Sequence, residues 1–217
     1  MKIISVRGDI IPNDYEEVYQ WYDMEGTAPR SVQKALTEAN GDDVTVEINS
    51  GGGDLFAGSE IYTMLKSYNG KVETHILGMA ASAASIIAMA GKCLMGYTAM
   101  LMIHNVASYA EGDYKDMSHM STVLKNANKA VAAAYREKTG LDEKSLLDLM
   151  NQETYMTAEQ AIANKFADGY IGSLKMTNGI TIIDYEKLDK MKNEMRRTKE
   201  LQAKINLLKM KGDMKHV

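Results

Sequence analysis

Residues 44–54 read VTVEINSGGGD, and this stretch decides how the chain is interpreted. Its first half alternates β-branched and polar residues before three glycines, which predicts a strand, Val44–Ile48, that runs into a loop. Asp54 follows as the N-cap of a helix. Such a loop presents backbone N–H groups, but no Lys-Ser or Lys-Thr pair follows the glycines, so a phosphate-binding P-loop is not supported.

Strand-like and helical segments alternate on both sides of this stretch. The further predicted strands are Lys2–Val6 with a turn at Gly8-Asp9, Val72–Leu77, Lys92–Met95 and Met100–Ile103. The predicted helices are Asp14–Glu25, Ser31–Ala39 capped by Ser31, one after Asp54, Ser82–Ala90, Tyr114–Lys138 stopped by Gly140, Asp142–Asn151 and a short one entered through a capping box at Thr157. This alternation predicts an α/β fold with a parallel sheet and helices packed on it.

The length of 217 residues fits one domain with an appendage. We expect the domain to cover residues 1–175 and the appendage residues 176–217. The appendage is predicted to contain a short strand at Thr181–Ile183 and a charged amphipathic helix within Lys187–Lys211. That helix either pairs with a copy of itself or stays solvated with one apolar face.

Composition excludes several classes of function. A net charge of −4 gives no electrostatic reason to expect nucleic acid or a membrane surface as a partner. The single cysteine, Cys93, excludes an internal disulfide and a multi-cysteine zinc site, and it favours a reducing, cytoplasmic setting. The most apolar stretch, residues 76–90, is short for a membrane span, which needs roughly twenty residues. We expect no metal and no cofactor.

A serine at the start of a predicted helix is the candidate nucleophile. Residues 78–85 read GMAASAAS, and Ser82 follows a strand among small residues that leave room for a substrate. The N–H groups of Ala83 and Gly53 are candidate donors to a developing oxyanion. Taken alone, Ser82 is better explained as a small residue that allows tight helix packing, and Ser85 is equally eligible as a nucleophile.

His104 ends the apolar strand Met100–Ile103, at the sheet edge where active sites of parallel sheets gather. Histidine is the commonest general base near neutral pH. The ordinary alternative is a core histidine bonded to backbone. His75 within a strand, His119 within a helix and His216 in the tail are weaker candidates.

Four motifs in this order resemble the Clp protease proteolytic subunit, and more closely the phage prohead-maturation branch of that superfamily. The motifs are NSGGG at 49–53, GMAAS at 78–82, MIH at 102–104 and TAEQA at 157–161 with Gly169. The likeness runs from about Lys2 to Gly172. It implies a ClpP/crotonase-like parallel sheet with packed helices, a projecting handle helix, a Ser-His-acid triad and assembly into face-to-face rings.

The resemblance also implies roles for single residues. Ser82 is the nucleophile, His104 the base, and Gly53 and Ala83 supply the oxyanion N–H groups. Relatives place an aspartate four residues before the TAEQA motif, where this chain has Glu153, and Asp168 is the other nearby acid. Relatives commonly have a proline where this chain has Gly51.

The resemblance implies a protein substrate, and for the prohead branch a capsid or scaffold protein cleaved during maturation. The first predicted strand begins at residue 2, which leaves almost no chain for the axial loops of ATPase-partnered members, so we expect no ATPase partner. The segment Tyr114–Lys138 matches the handle helix. It is expected either to stack rings or to pack within its own subunit.

Three other functions compete with the protease. A crotonase-type acyl-CoA enzyme would use the same paired N–H groups but shows no adenine-binding signature here. A Ser-Lys peptidase would need a lysine in a matching motif, and Lys92 is the one left open. The third is a catalytically idle assembly protein whose rings and tail act as a scaffold.

Overall fold

The computed structural model describes residues 2–172 and 189–200. The chain divides into two compact units, Met1–Ser173 and Leu174–Val217. In the second unit residues 189–200 are helical. The predicted strand Thr181–Ile183 and the remainder of the tail lie outside the described residues.

Within the described residues, eight strands form one sheet in the first unit. They are β1 (Lys2–Ile10), β2 (Gly26–Thr27), β3 (Val44–Gly53), β4 (Val72–Ala81), β5 (Lys92–Met95), β6 (Met100–Ile103), β7 (Thr154–Thr157) and β8 (Gly169–Tyr170). The order β2-β1-β3-β4-β5-β8 is parallel throughout. β6 pairs in parallel with β4, and β7 pairs antiparallel with β6.

Helices connect these strands and cover the sheet. They are α1 (Glu16–Trp21), α2 (Pro29–Ala39), α3 (Leu55–Lys66), α4 (Ala83–Ala88), α5 (Tyr114–Thr139), α6 (Glu143–Asn151) and α7 (Ala158–Ala163), with a short 3-10 turn at Asn13–Tyr15. The core joins β-branched residues of the central strands, such as Val46 and Ile48, to Ala84 and Ile87 of α4. The predicted α/β class with a parallel sheet is therefore confirmed.

Strand β4 changes its partner halfway along its length. Its first half pairs with β5, from Glu73 to Ile76, and its second half pairs with β6, from Met79 to Ala81. Gly78 lies at the change, where a Cβ would stand 2.5 Å from Oδ1 of Asn49 on β3. The same Oδ1 accepts a hydrogen bond from the Met79 N–H at 3.1 Å. Because β4 changes its partner at this point, β5 and β6 lie beside two different parts of the same strand.

Several local predictions are confirmed. The strands β5 and β6 have the predicted bounds. Asp54 caps α3 by accepting from the Ala57 N–H at 2.7 Å, and Thr157 forms the predicted capping box with Gln160. Gly140 ends α5 in the left-handed conformation, with φ of 74°.

Other local predictions are wrong, two because strand pairing overrides a local signal and one because a proline starts the helix earlier. Gly8-Asp9 is not a turn, because β1 continues to Ile10 and absorbs Gly8, at φ of 64°, in an irregularity of the ladder with β3. The helix predicted over Asp14–Glu25 shortens to α1, since β2 pairs with β1 directly afterwards. Ser31 does not cap α2, which begins at Pro29 after Ala28.

The helix α5 is 26 residues long and is buried only along its second half. Its buried residues are Val131, Ala132, Ala134, Tyr135 and Thr139. In the first half Tyr114 is 78% exposed and Val123 is 42% exposed. This helix occupies the position of the predicted projecting handle.

The buried thiol of Cys93 gives a direct test of this fold. Cys93 lies inside β5, and burial raises the pKa of its thiol to about 11. At pH 8 the native thiol is therefore protonated and shielded, so we expect a thiol reagent such as DTNB to react at least about 100-fold more slowly than in guanidinium chloride. Equal rates in both conditions would show that β5 is not packed as described.

Candidate active site

Ser82 occupies a sharp turn between the end of β4 and the start of α4. Its backbone has φ of 53° and ψ of −124°, a region that costs a residue with a side chain about 1–3 kcal/mol. The turn is held at both ends: the Ser82 N–H donates to the Met102 carbonyl at 3.0 Å, and the Ser82 carbonyl accepts from the Ser85 N–H at 2.9 Å. The surrounding bonds therefore maintain a backbone geometry that the residue would not adopt by itself.

His104 directly follows β6, the strand that pairs with the second half of β4. Its Nε2 lies 2.7 Å from Oγ of Ser82. Both residues are half-buried. A ring nitrogen at this distance is placed to accept the hydroxyl proton, which is the geometry that activates a serine for attack on a carbonyl.

The other sequence candidates for nucleophile and base lie elsewhere. The hydroxyl of Ser85 is buried and bonds to the Ser82 carbonyl at 2.6 Å and to the Tyr135 hydroxyl at 2.7 Å. His75 lies 3.3 Å from a carboxylate oxygen of Glu73 in the first half of β4. His119 is exposed on α5, and His216 lies outside the described residues.

The two predicted oxyanion donors line the same cleft as Ser82 and His104. Ala83 is the first residue of α4, so its N–H belongs to the unpaired first turn of that helix. Gly53 ends β3 with φ of 145°, and a Cβ there would stand 2.3 Å from the Ile10 carbonyl oxygen. The Ile10 carbonyl oxygen accepts a hydrogen bond from the N–H of Asp54, the next residue, at 2.8 Å.

Gly52 is a residue of the site that sequence reasoning missed. A Cβ on Gly52 would lie 2.6 Å from the Ala81 oxygen, 2.7 Å from Cβ of Ser82 and 3.0 Å from the Ala83 nitrogen. Its φ of 98° also favours glycine. The run of three glycines signals a special backbone, but nothing in the sequence shows which one approaches the nucleophile.

A buried serine holds this glycine against the turn. The Ser50 hydroxyl accepts from the Gly52 N–H at 3.1 Å and donates to the Gly8 carbonyl at 2.6 Å. Ser50 is 3% exposed, so water does not compete for either bond. The Ser50 side chain therefore links β1, at Gly8, to the glycine that lies against the Ser82 turn.

Glu153 lies directly before β7 and does not bond to the His104 ring. The ladder of β6 and β7 ends at the pair Ile103 and Thr154, and His104 and Glu153 are the residues just beyond that last pair. The Glu153 carboxylate instead accepts from the Tyr155 hydroxyl at 3.2 Å, a bond that raises the pKa of Tyr155. Within the described residues, the His104 ring hydrogen-bonds to Ser82.

Asp168 forms its bonds at the end of the sheet opposite to Ser82. Its carboxylate accepts from the Cys93 N–H at 2.7 Å and from the Lys138 ammonium. Cys93 pairs with Thr74, near the start of β4, whereas Ser82 follows the end of that strand. At a rise of about 3.3 Å per residue, roughly 25 Å separates the two places. Asp168 therefore does not reach His104.

The cleft beside Ser82 and His104 has a volume of about 660 Å³ and is lined mostly by apolar side chains. One wall is α5, which contributes Met120, Val123, Leu124, Ala127 and Val131. Ile86 and Tyr135 also line it, and Phe56, 79% exposed, stands at its edge. A concave site with a mostly apolar lining is typical of sites that bind apolar groups.

One alternative, the Ser-Lys peptidase, loses support from these positions. Lys92 begins β5 and bonds to Glu73 at 3.3 Å, at the end of the sheet away from Ser82, and no lysine lines the cleft within the described residues. In residues 2–172 and 189–200, no three His, Cys, Asp or Glu side chains are grouped as metal ligands would be. Over the same residues, no helix has both the length and the apolar character to cross a bilayer.

Comparison with known proteins shows which proteins this chain is similar to in sequence. The chain is 29% identical over 136 residues to the ATP-dependent Clp protease proteolytic subunit of Ligilactobacillus salivarius, covering 61% of this chain and 69% of that protein. It is also 29% identical over 163 residues to the subunit of the same name from Mesostigma viride, covering 74% of this chain and 66% of the relative.

A solved structure gives the same fold. A point mutant of ClpP1 from Listeria monocytogenes superposes with a TM-score of 0.65 at 18% identity, over 79% of this chain and 92% of that one. The family model described as Clp protease matches residues 31–173, a segment that contains Ser82, His104 and Glu153. The chain is therefore a member of the Clp protease family, the family of ClpP-type serine proteases.

Proposed function

We propose that this protein is a serine endopeptidase in which Ser82 is the nucleophile and His104 the general base. The observation that carries the proposal is the 2.7 Å contact between Nε2 of His104 and Oγ of Ser82. In the first step Oγ attacks the peptide carbonyl while Nε2 takes its proton, and the imidazolium then protonates the leaving amine. Water, deprotonated by the same ring, hydrolyses the acyl-enzyme and regenerates Ser82.

The proposed oxyanion donors are the N–H groups of Ala83 and Gly53. Support comes from their place in the cleft with Ser82 and from the position of Ala83 in an unpaired first helical turn. Gly52 leaves open the space beside the Ala83 nitrogen, because any Cβ there would stand 3.0 Å from that atom. A substrate carbonyl oxygen needs this space when it becomes negatively charged.

We assign the third catalytic position to Glu153. Support comes from its place in the chain, since Glu153 and His104 lie just beyond the last pair of the β6–β7 ladder, Ile103 with Thr154. In the proposal, a rotation of the glutamate side chain brings its carboxylate to the ring. The competing partner is the Tyr155 hydroxyl, two residues further along β7. The arrangement corresponds to a resting site. In it Nε2 of His104 contacts Oγ of Ser82, and the Glu153 carboxylate does not contact the histidine ring.

The proposed substrate is an unfolded or extended protein segment, and for the prohead-maturation branch a capsid or scaffold protein. The apolar cleft supports the first part, and the motifs at 49–53, 78–82, 102–104 and 157–161 support the branch. The proposed setting is the cytoplasm of a bacterium or a phage-infected cell.

The proposal includes homo-oligomeric rings that stack through α5. The exposed apolar residues Met117 and Val123 in the first half of that helix support such a contact, being 38% and 42% exposed. A scaffold without catalysis remains the second candidate, since the Glu153 carboxylate bonds to Tyr155 rather than to His104. Labelling of Ser82 by a fluorophosphonate in the assembled oligomer separates the two, because a scaffold has no activated hydroxyl to label.

Independence from an ATPase is tested with the full chain alone. We expect it to cleave its candidate capsid protein, and an unfolded model protein such as casein, without nucleotide or a second protein. Mass spectrometry of the new termini gives the cleavage sites and tests whether residues 184–217 are removed as well. Cleavage that strictly required an added ATPase would contradict this part of the proposal.

Substitution of the three catalytic residues should give graded losses. We expect Ser82→Ala to abolish cleavage and His104→Ala to lower kcat by about 10³-fold or more, both with assembly intact by light scattering. Glu153→Gln should lower kcat less, by roughly 10–100-fold, because Nε2 already contacts Ser82 without the carboxylate. A Ser82→Ala protein that still cleaves would remove the assignment, and an unchanged rate in Glu153→Gln would remove the third member.

The space beside Ala83 is tested by adding a methyl group at two neighbouring glycines. Gly52→Ala should lower the rate of fluorophosphonate labelling by about 100-fold or more, since its Cβ meets the Ser82 turn and its φ of 98° disfavours alanine. Gly51→Ala is the matched control, because its Cβ meets nothing within 4 Å, and its rate should stay within about 2-fold. Equal rates in both variants would show that the end of β3 does not border the oxyanion.

A further inference from the structure

We propose that two residues of α5, Asn128 and Tyr135, are positioning residues that set the base and the nucleophile at their 2.7 Å separation. This inference rests on the proposed serine-protease function. Neither side chain bonds to Ser82 Oγ or to the His104 ring in the described structure. Each acts through the segment that holds one of these groups, so one helix controls the geometry of both.

Asn128 holds the residues that follow the base. Its Oδ1 accepts from the Val106 N–H at 2.7 Å, and its Nδ2 donates to Oδ1 of Asn105 at 2.9 Å. Asn105 Nδ2 then donates to Oδ1 of Asn151, in the last turn of α6, at 2.8 Å. Because the Val106 N–H can only donate, it fixes the orientation of the Asn128 amide, which fixes that of Asn105 and then that of Asn151.

These bonds are placed where the base needs support. β6 ends at Ile103, and the chain has no regular secondary structure between His104 and the start of α5. On one side the histidine backbone is held by the sheet, and on the other side Asn128 binds the next two residues. Removal of the amide leaves the Val106 N–H without its partner and lets His104 turn away from Ser82.

Tyr135 holds the turn that carries the nucleophile. Its hydroxyl lies 2.7 Å from Oγ of Ser85, which lies 2.6 Å from the Ser82 carbonyl oxygen. A carbonyl oxygen only accepts, so Ser85 donates to it and Tyr135 donates to Ser85. Tyr135 and Ser85 are 1% and 0% exposed, which keeps water away from this chain of bonds. The bonds end on the residue whose φ of 53° needs outside support.

The two residues lie about two turns apart on α5, and therefore on the same face of the helix. Val131 lies between them and is buried against the core. A helix segment of this length is about 10 Å long and keeps its ends at a fixed separation. A shift of α5 along its axis would accordingly move the base and the nucleophile turn together, whereas loss of one bond would misplace one of them.

The test of Asn128 uses isosteric and inverted variants. We expect Asn128→Leu to lower kcat for a peptide substrate by about 30–100-fold with KM changed less than about 3-fold, because a displacement of about 1 Å is enough for such a loss. Asn128→Asp should retain at least about one third of kcat. Its carboxylate still accepts from Val106, and the amides of Asn105 and Asn151 can turn round to donate in the reverse direction.

Asn126→Leu is the matched control, since Asn126 is exposed on the same helix and the change in helix propensity is the same. It should leave kcat within about 2-fold. If Asn128→Leu does not fold, as judged by circular dichroism, Asn105→Ala takes its place and should show the same loss of kcat. Equal kcat in Asn128→Leu and Asn126→Leu, or an equal loss in Asn128→Leu and Asn128→Asp, overturns the inference.

The test of Tyr135 removes one hydroxyl. Tyr135→Phe should slow the fluorophosphonate labelling of Ser82 by about 5–10-fold. The control is Tyr62→Phe, which removes the 2.8 Å bond between a tyrosine hydroxyl and Glu137 of α5 and should leave labelling within about 2-fold. Equal labelling rates in these two variants overturn the role of Tyr135.

The wild-type protein separates the two levels of proposal. No labelling of assembled wild-type protein overturns the proposed function and this inference with it. Labelling of the wild type that is unaffected by Asn128→Leu and Tyr135→Phe overturns this inference alone and leaves the serine protease in place.

Discussion

The change of partner in β4 is the constraint on which the site depends. If β4 paired with β5 along its whole length, β6 would have no place beside Ala81, and His104 would not lie next to the residue that follows β4. Gly78 permits the change because Asn49 approaches too closely for a side chain there, and the Asn49 amide oxygen takes up the Met79 N–H. One change of partner in one strand therefore brings His104, which follows the neighbouring strand, next to Ser82 at the end of β4.

Backbone strain occurs at two residues of the candidate site. Of the five non-glycine residues with positive φ in the described part of the chain, two are Ser82, at 53°, and Glu153, at 49°. Non-glycine residues reach this region only where surrounding contacts force them to do so. At Ser82 those contacts come from Met102, Ser85 and, through Ser85, from Tyr135. The free energy that folds the sheet thus also maintains two unfavourable backbone conformations at the point where chemistry is proposed.

Sequence patterns predicted the fold class well because its main signals are local. The strands β5 and β6 are short apolar runs with clear ends. The helix caps are also local: Asp54 and Thr157 cap through their own side chains, and Gly140 ends α5 because it has no side chain. The strands β2, β7 and β8 were not predicted. β2 and β8 have two residues each, and β7 overlaps the entry to α7, so their strand character comes from partners distant in sequence. The turn predicted at Gly8-Asp9 failed for the same reason.

For the candidate site, a histidine at the end of an apolar strand and a serine among alanines are unusual enough to be noticed, and the structure brings Ser82 and His104 together. Gly52 could not be distinguished from Gly51 and Gly53, since the difference lies in what each one faces. Asn128 and Tyr135 carried no signal at all, because an asparagine and a tyrosine on a long helix are ordinary until their partners are known.

The unburied first half of α5 has a consequence for how activity depends on dilution. About three turns of helix without packing are marginally stable in water, yet Met120, Val123 and Leu124 of this half form a wall of the cleft. The order of this part of the proposed substrate cleft therefore depends on what contacts the first half of α5. A neighbouring copy that covered it would complete the wall by mass action, so that specific activity would rise with protein concentration and fall when assembly is undone.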